Sequence, residues 1–444
     1  MNMRLYFFFK LDWKIGENME KRNIIIVEAT STAANYIHDV RELGYNPICV
    51  EMYPDREEGV REYYESNYSL NGEELPQYIK ADKSYEETLE VVRELDPVCI
   101  VPGGDEGIVL ATKMAYDLGL PGNDPKNLNK MIDKQYAQDA LKDANLRYIR
   151  SKEVTSYEEA KEFIKELDGS KFVVKPSIGQ STVGVCICET DEELKEALEI
   201  NKKIQFSEDV HILIQEYIGG EEFIIDSLCC QGHNRVISGF VYKKILIEGR
   251  GAIYDYAESI DATHPNFKEL EEYNEKVLSA LNLEYGATHG EYKIDENGPV
   301  LIEMNCRVLG AVQKYTLLDD AWGEHHTAIS LESYLNPEEC IKKANKTVEP
   351  QSYYAIKPII IYDDIYVKKS KIEEVFSKLE SFQYAFPFGD EKLYPKTIDL
   401  HTCGGLIYLL NEDKTKLMED LDVIRNMEKY EAEKMFDIGE PNQG

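Results

Sequence analysis

Gly286-Ala-Thr-His-Gly-Glu-Tyr-Lys-Ile-Asp-Glu-Asn-Gly-Pro-Val-Leu-Ile-Glu-Met-Asn-Cys-Arg307 is the stretch on which the reading of this chain turns. Two β-prone arms flank the turn sequence Asp295-Glu-Asn-Gly298, which predicts a β-hairpin over Ala287–Asn305. Side chains alternate faces along a strand, so Glu303, Asn305 and Arg307 share one face and Met304 and Cys306 take the other. With a three-residue connection, Glu291 falls opposite Glu303 and His289 opposite Asn305. Two facing carboxylates repel unless a cation lies between them. Mg²⁺ takes hard oxygen ligands and is commonly shared between one or two carboxylates and nucleotide phosphates. Glu291, Glu303 and Asn305 are therefore the candidate metal ligands. An exposed acidic pair on a solvated hairpin is the competing reading, and the apolar Val300, Leu301 and Ile302 argue against it.

Three upstream stretches complete the constellation. In Phe172-Val-Val-Lys175-Pro-Ser-Ile-Gly179-Gln-Ser181-Thr-Val-Gly184, a strand delivers a lysine into a Gly- and Ser-containing turn. Amide and hydroxyl donors beside an ammonium suit phosphate oxygens. In Ile212-Leu-Ile-Gln215-Glu216-Tyr-Ile218-Gly-Gly-Glu221-Glu222, one apolar strand passes through a short linker into another. The main chain of such a linker can read the edge of an adenine, and a carboxylate at Glu222 can hold ribose hydroxyls. Lys134, within a predicted helix over Lys126–Ala144, reads on its own as a surface lysine.

In this order the pieces resemble the ATP-grasp superfamily, over about residues 23–345. The resemblance implies a mixed α/β and α+β ATP-grasp fold, with an N-terminal Rossmann-like parallel-sheet domain and a small C-terminal β-rich subdomain. It also implies ATP with Mg²⁺ (or Mn²⁺). Lys134 and Lys175 would contact the phosphates, and the loop with Ser181 would close over them; Ser177 and Thr182 are alternative hydroxyls. Gln215, Glu216 and Ile218 would line the adenine site and Glu222 the ribose site. Glu291, Glu303 and Asn305 would hold the metal, with Arg307 and His289 as catalytic candidates. Gly286-Ala-Thr-His-Gly-Glu291 further resembles the carboxylate–amine ligase branch that includes L-amino acid and dipeptide-forming ligases. Tyr242-Lys243 and Gly251-Ala-Ile-Tyr-Asp255 have parallels there. That branch implies amide formation through an acyl phosphate, small-molecule carboxylate and amine substrates, and allows a homodimer. The rival readings are a carboxylase of the biotin or purine type and a non-catalytic nucleotide-binding relative. Arg250, Glu258 and His264 are the candidates for selecting the amino acid.

The remainder of the 444-residue chain sets the frame. Fifty basic against 83 acidic side chains leave a formal charge of −33, which disfavours nucleic acid and anionic membranes as partners. The nine cysteines lack zinc-site grouping; as scattered free thiols they point to a reducing cytoplasm. No run approaches the ~20 apolar residues of a membrane span. Residues 1–20 read as an extension, with Met19 a natural start. Residues 21–123 alternate short apolar strands with helices, the pattern of a parallel sheet. Their first loop, residues 28–34, lacks GxGxxG, so no dinucleotide site of Rossmann type is expected. Asp124 before Pro125 marks a helix start and a second domain over 124–345, with lobes at about 150–215 and 216–345. Capping boxes are predicted at Ser156/Glu159 and Thr190/Glu193. Residues 346–444 form the third, β-rich part.

Overall fold

The computed structural model describes residues 22–52, 72, 74, 76–81, 84–179, 184–204, 211–247, 251–344, 346, 350–400 and 402–440. The extension 1–20, Ser181, Thr182 and Arg250 lie outside these described residues.

The fold is mixed α/β. Strands β1 (Asn23–Val27), β2 (Asn46–Glu51), β3 (Gln77–Lys80) and β4 (Pro97–Pro102) form a parallel sheet in the order β3-β2-β1-β4. Helices α1 (Asn35–Glu42) and α2 (Tyr85–Glu94) connect β1 to β2 and β3 to β4, and α3 (Gly107–Asp117) follows β4. Ile24 and Ile26 pack on Tyr36 and Ile37, while Ile25 and Val27 pack on Val92 and Met114. Burial on both faces is why β1 reads as an unbroken apolar run rather than an alternating one.

The helix expected over Lys126–Ala144 is broken. A 3₁₀ turn at Pro125–Asn127 leads into α4 (Leu128–Ile132), and α5 (Lys134–Asp143) starts anew. Asp133 between them is extended, at φ −112° and ψ 125°, and its carboxylate accepts the N–H groups of Gln135 and Tyr136. This aspartate prefers capping to continuing a helix. Lys134 thus stands at the first helical position, and its N–H donates to the Ser177 carbonyl at 3.0 Å.

Next come β5 (Ser151–Val154), α6 (Tyr157–Ile164), β6 (Phe172–Pro176), β7 (Cys186–Cys188), α7 (Asp191–Lys203) and β8 (Ile212–Glu216). Their strands make an antiparallel sheet in the order β5-β8-β6-β7. The Thr190/Glu193 capping box is complete. At Ser156 only half forms, because the Glu159 carboxylate turns to the N–H and hydroxyl of Thr155.

The chain then crosses into a larger sheet through β9 (Glu221–Cys230), β10 (His233–Ile247) and β11 (Gly251–Ser259). It continues with α8 (Phe267–Leu281), β12 (Tyr285–Asp295), β13 (Gly298–Asn305), α9 (Tyr315–Trp322), α10 (His326–Leu335) and α11 (Pro337–Lys342). Last come β14 (Tyr353–Pro358), β15 (Ile365–Ser370), α12 (Ile372–Phe376), β16 (Phe382–Pro387), β17 (Lys392–Tyr394), β18 (Gly405–Asn411), α13 (Lys414–Tyr430), α14 (Ala432–Met435) and β19 (Phe436–Ile438). The order is β13-β12-β9-β10-β11-β14-β18-β16, so strands after residue 346 extend the same sheet. Strands β17-β15-β19 form a separate small sheet. We keep divisions near residues 123/124 and 345/346 as proposed domain boundaries. Among the described residues, no helix is long and apolar enough to cross a membrane.

Two contacts hold these layers at fixed angles. His325 donates from both ring nitrogens, to Asp39 of α1 and to Asp319 of α9, each at 2.8 Å. Burial opposes a charged imidazole there, but the two carboxylates prevail and push its pKa up to about 10. The linker between β8 and β9 carries Gly220 at φ +86°, where an added Cβ would collide with the Ile294 carbonyl.

A raised histidine pKa stabilises the fold fully below its unfolded value near 6.5, and that stability fades as pH rises toward the folded value. His325→Gln is therefore expected to cost on the order of 3 kcal/mol at pH 6 in urea unfolding, and clearly less at pH 9.5. A pH-independent difference would contradict the charged clamp. Gly220→Ala should lower unfolding free energy by about 1–3 kcal/mol in the same assay.

Candidate functional site

The hairpin of β12 and β13 places Glu291 directly across from Glu303 and His289 across from Asn305. The register arises differently from the three-residue connection assumed above. The turn is tight, pairing Asp295 with Gly298, and the extra residue sits within the ladder: Tyr292 faces Leu301, then Glu291 faces Glu303, leaving Ile302 as a bulge. The Arg147 guanidinium fastens the turn, bonding Asp295 at 2.6 Å and the Gly298 carbonyl.

β12 pairs on its other side with β9, and β9 with β10. Lys293, Glu222 and Tyr242 therefore stand in a row across three strands, as do His289, Asp226 and Ser238. This face looks across a cleft of about 1080 Å³ at the β6–β8 sheet. Lys134, Lys175, Gln215, Glu216, Ile218, Glu222, Glu291 and Glu303 all line it. Asn305, His289 and Arg307 are not part of that lining.

Each charged group has a definite neighbour. Lys134 Nζ lies 2.9 Å from Glu303 Oε1 and 2.7 Å from the Gly179 carbonyl oxygen. Burial pushes the Lys175 ammonium down to about 8, and Lys134 adds repulsion. Glu222 accepts from Lys244 Nζ at 2.8 Å and from the Tyr254 hydroxyl at 2.9 Å. Lys293 Nζ donates to the Ile218 carbonyl at 3.0 Å. Glu216 pairs with Arg150, Nε to Oε2, at 3.2 Å. Burial would raise the Glu291 carboxyl, but His289, Lys244 and Arg307 together hold it below the usual carboxylate range.

Behind the cleft, His289 Nδ1 bonds Asp226 at 2.7 Å, and its Nε2 lies 3.6 Å from Glu291. Burial opposes protonation, yet Asp226 and Glu291 push the imidazole up to about 9. At neutral pH it carries its proton and acts as a donor. Asp226 would be raised by burial, but His289 and His326 hold it well below the usual range. Arg307 donates through Nε and Nη2 to Asp105, at 3.2 and 2.8 Å, in the loop that follows β4 of the parallel sheet.

The donor set suits a nucleotide. Gln215 Nε2 is buried without a hydrogen-bond partner among the described residues, in a wall shared with Ile149, Val173, Ile187 and Ile302. An orphan donor between apolar walls fits the acceptor edge of a purine. The facing carboxylates of Glu291 and Glu303, with the Asn305 amide, offer oxygens suited to Mg²⁺. Among the described residues, no three His, Cys, Asp or Glu side chains converge on one metal-sized point. Oxygens from a bound phosphate would have to complete any coordination.

Other expectations fall away from the cleft. Ser177 is fully buried, its hydroxyl accepting the His211 N–H. Glu258 pairs with Lys414, and His264 sits edge-on to Phe223; neither lines the cleft. Lys244, Lys293, Tyr254 and Asp105 entered no expectation. Lys293 carried a signal: it lies two residues past Glu291 and so shares its face.

Comparison with known proteins agrees with this architecture. The ATP-grasp domain family profile matches residues 169–315. The chain is 24% identical over 419 residues to dapdiamide A synthase of Enterobacter agglomerans, covering 92% of this chain and 96% of that one. Among solved structures, it superposes on an L-amino acid ligase from Bacillus licheniformis with a TM-score of 0.70 at 17% identity, covering 92% and 98% of the two chains. It superposes on a biotin carboxylase from Campylobacter jejuni with a TM-score of 0.62 at 14% identity, covering 93% and 97%. Residues 169–315 thus carry an ATP-grasp domain, and the chain as a whole shares its fold with these ligase and carboxylase structures.

Proposed function

We propose that the protein joins a carboxylate to an amine, spending ATP to ADP and phosphate through an acyl phosphate. The observation that carries this reading is the facing pair Glu291 and Glu303 set against Lys134 and Lys175 across one cleft. Such an arrangement suits a polyphosphate whose terminal group is to be transferred. In this reading Gln215, Glu216 and Ile218 hold adenine, Glu222 the ribose, and the two lysines the phosphates; Ser181 belongs to the covering loop. Glu291, Glu303 and Asn305 would hold Mg²⁺, which when bound offsets charge on the phosphate oxygens.

A carboxylate is a poor electrophile because resonance and charge protect its carbon. In-line attack of its oxygen on the γ-phosphorus breaks the bond to the β-phosphate and yields the mixed anhydride and ADP. The amine then adds to the acyl carbon, and phosphate leaves with the electron pair of the C–O bond. In this reading Arg307 stabilises the oxyanion that forms in between. Its guanidinium is fixed by Asp105, so it needs no reorganisation at the moment of reaction. His289, protonated between Asp226 and Glu291, keeps the second donor near the same centre.

The amine half rests on Gly286-Ala-Thr-His-Gly-Glu291 and on the likeness to dapdiamide A synthase along nearly the whole chain. The biotin carboxylase likeness supports a second reading, with bicarbonate as the activated carboxylate. A phosphate-release screen over single amino acids and pairs, with hydroxylamine as trap, separates the two. Amino-acid-dependent ADP release and a hydroxamate are expected. ADP release that requires bicarbonate, or no hydroxamate for any carboxylate, would go against the ligase. In the same assay Arg307→Ala should lower turnover by on the order of a hundredfold while ATP still binds, and unchanged turnover would remove Arg307 from the mechanism.

A further inference from the structure

Four lysines and four glutamates meet in the cleft: Lys134, Lys175, Lys244 and Lys293 with Glu216, Glu222, Glu291 and Glu303. Two of the glutamates that a nucleotide would engage are each held by a lysine. Lys134 lies on Glu303, and Lys244 lies on Glu222. Lys293 is tied to the main-chain oxygen of Ile218 in the linker at 3.0 Å, and its ammonium also lies 3.9 Å from Glu222 Oε2.

Lys244 reaches into the cleft from β10 beside Tyr242, which pairs with Glu222 on β9. Its ammonium lies 2.8 Å from Glu222 Oε2 and 4.3 Å above the Tyr254 ring, and it is close enough to Glu291 to help depress that carboxyl. It therefore pairs with the carboxylate suited to ribose while lining the same cleft as Glu291 and Glu303, the carboxylates suited to a metal–phosphate. Its side chain is about 30% exposed, on a four-carbon stem with several rotatable bonds. Both oxygens of Glu222 are engaged, by Lys244 and Tyr254. Ribose hydroxyls that donate to Glu222 have to share it with Lys244, Tyr254 and the nearby Lys293.

We infer that Lys244 is a phosphate-binding group parked on Glu222, which moves onto a nucleotide or acyl-phosphate oxygen when ribose hydroxyls take that carboxylate. After the exchange Glu222 keeps the Lys293 ammonium, 3.9 Å from its Oε2, and gains the hydroxyl hydrogen bonds. A displaced ammonium in a partly buried cleft needs a new anion, and the incoming phosphates supply it. The inference rests on the nucleotide reading of the cleft given above. A lysine that only neutralises Glu222 would leave a different signature. Its removal would disturb ribose recognition and hence affect adenosine as much as ATP.

Calorimetric binding of adenosine, ADP and ATP with Mg²⁺ to the full chain tests this. Thermal melts would verify that Lys244→Gln and Lys244→Arg are folded. Lys244→Gln is expected to weaken ATP and ADP by about tenfold, the order of one charge-assisted hydrogen bond, while adenosine changes by less than about threefold. Lys244→Arg should recover most of the lost affinity. Equal weakening of all three ligands, or no weakening of any, would overturn the inference while leaving the nucleotide site in place. A wild-type protein that binds none of the three would overturn the nucleotide reading and this inference together.

Discussion

The bulge at Ile302 is the constraint on which the site depends. Antiparallel pairing has a period of two, so one extra residue in β13 decides which side chains meet across the ladder. Without it, Glu303 would lie opposite Gly290 and point away from Glu291. With it, Glu291, Glu303 and Asn305 share a patch, and Ile302 itself becomes part of the cleft wall. On its other side β12 pairs with β9 in an unbroken register that carries Lys293 to Glu222 and His289 to Asp226.

Charge is the second determinant. In the proposed function, a chain with a formal charge of −33 binds a polyanion against its own field. The structure answers by gathering lysines in the cleft and satisfying them with carboxylates. Such pairs avoid the cost of an unpaired buried charge, and they leave an ammonium ready wherever a ligand takes over the carboxylate. Lys175 is the exception: among the described residues it forms no ion pair, and burial and Lys134 push its pKa down to about 8. Arg307 follows the other rule, being fixed by Asp105 of the parallel-sheet layer. The N-terminal sheet thus reaches Arg307 through one loop, and the His325 clamp to Asp39 ties α1 beside that sheet to the rest of the fold.

Much of this was legible in the residues. The apolar run Asn23–Val27, the turn at Asp295–Gly298 and the alternation of Glu303, Asn305 and Arg307 are local signals, and local rules read them. The pairing of Glu291 with Glu303 was reached by assuming a longer turn, whereas a bulge supplies the extra residue; no local composition distinguishes the two. The break at Asp133 was missed because Lys126–Ala144 looks helical throughout, although an aspartate before a lysine can cap as well as continue. Strand β11 went unrecognised because its alternation is blurred by Asp255, which turns to the buried Lys357 and to Arg425 instead of to solvent. Lys244, Tyr254 and Asp105 join the site only through pairing between distant segments, and no spacing within one segment reveals that.

The central claim is that a carboxylate oxygen attacks the terminal phosphate. The most direct measurement follows that oxygen. A substrate carboxylate labelled with ¹⁸O, turned over with unlabelled ATP and a saturating amine, should deliver one ¹⁸O to the released inorganic phosphate and keep the other in the amide. Mass spectrometry of the phosphate reads this without reference to rate. Phosphate free of ¹⁸O, or the label found in AMP, would contradict the account.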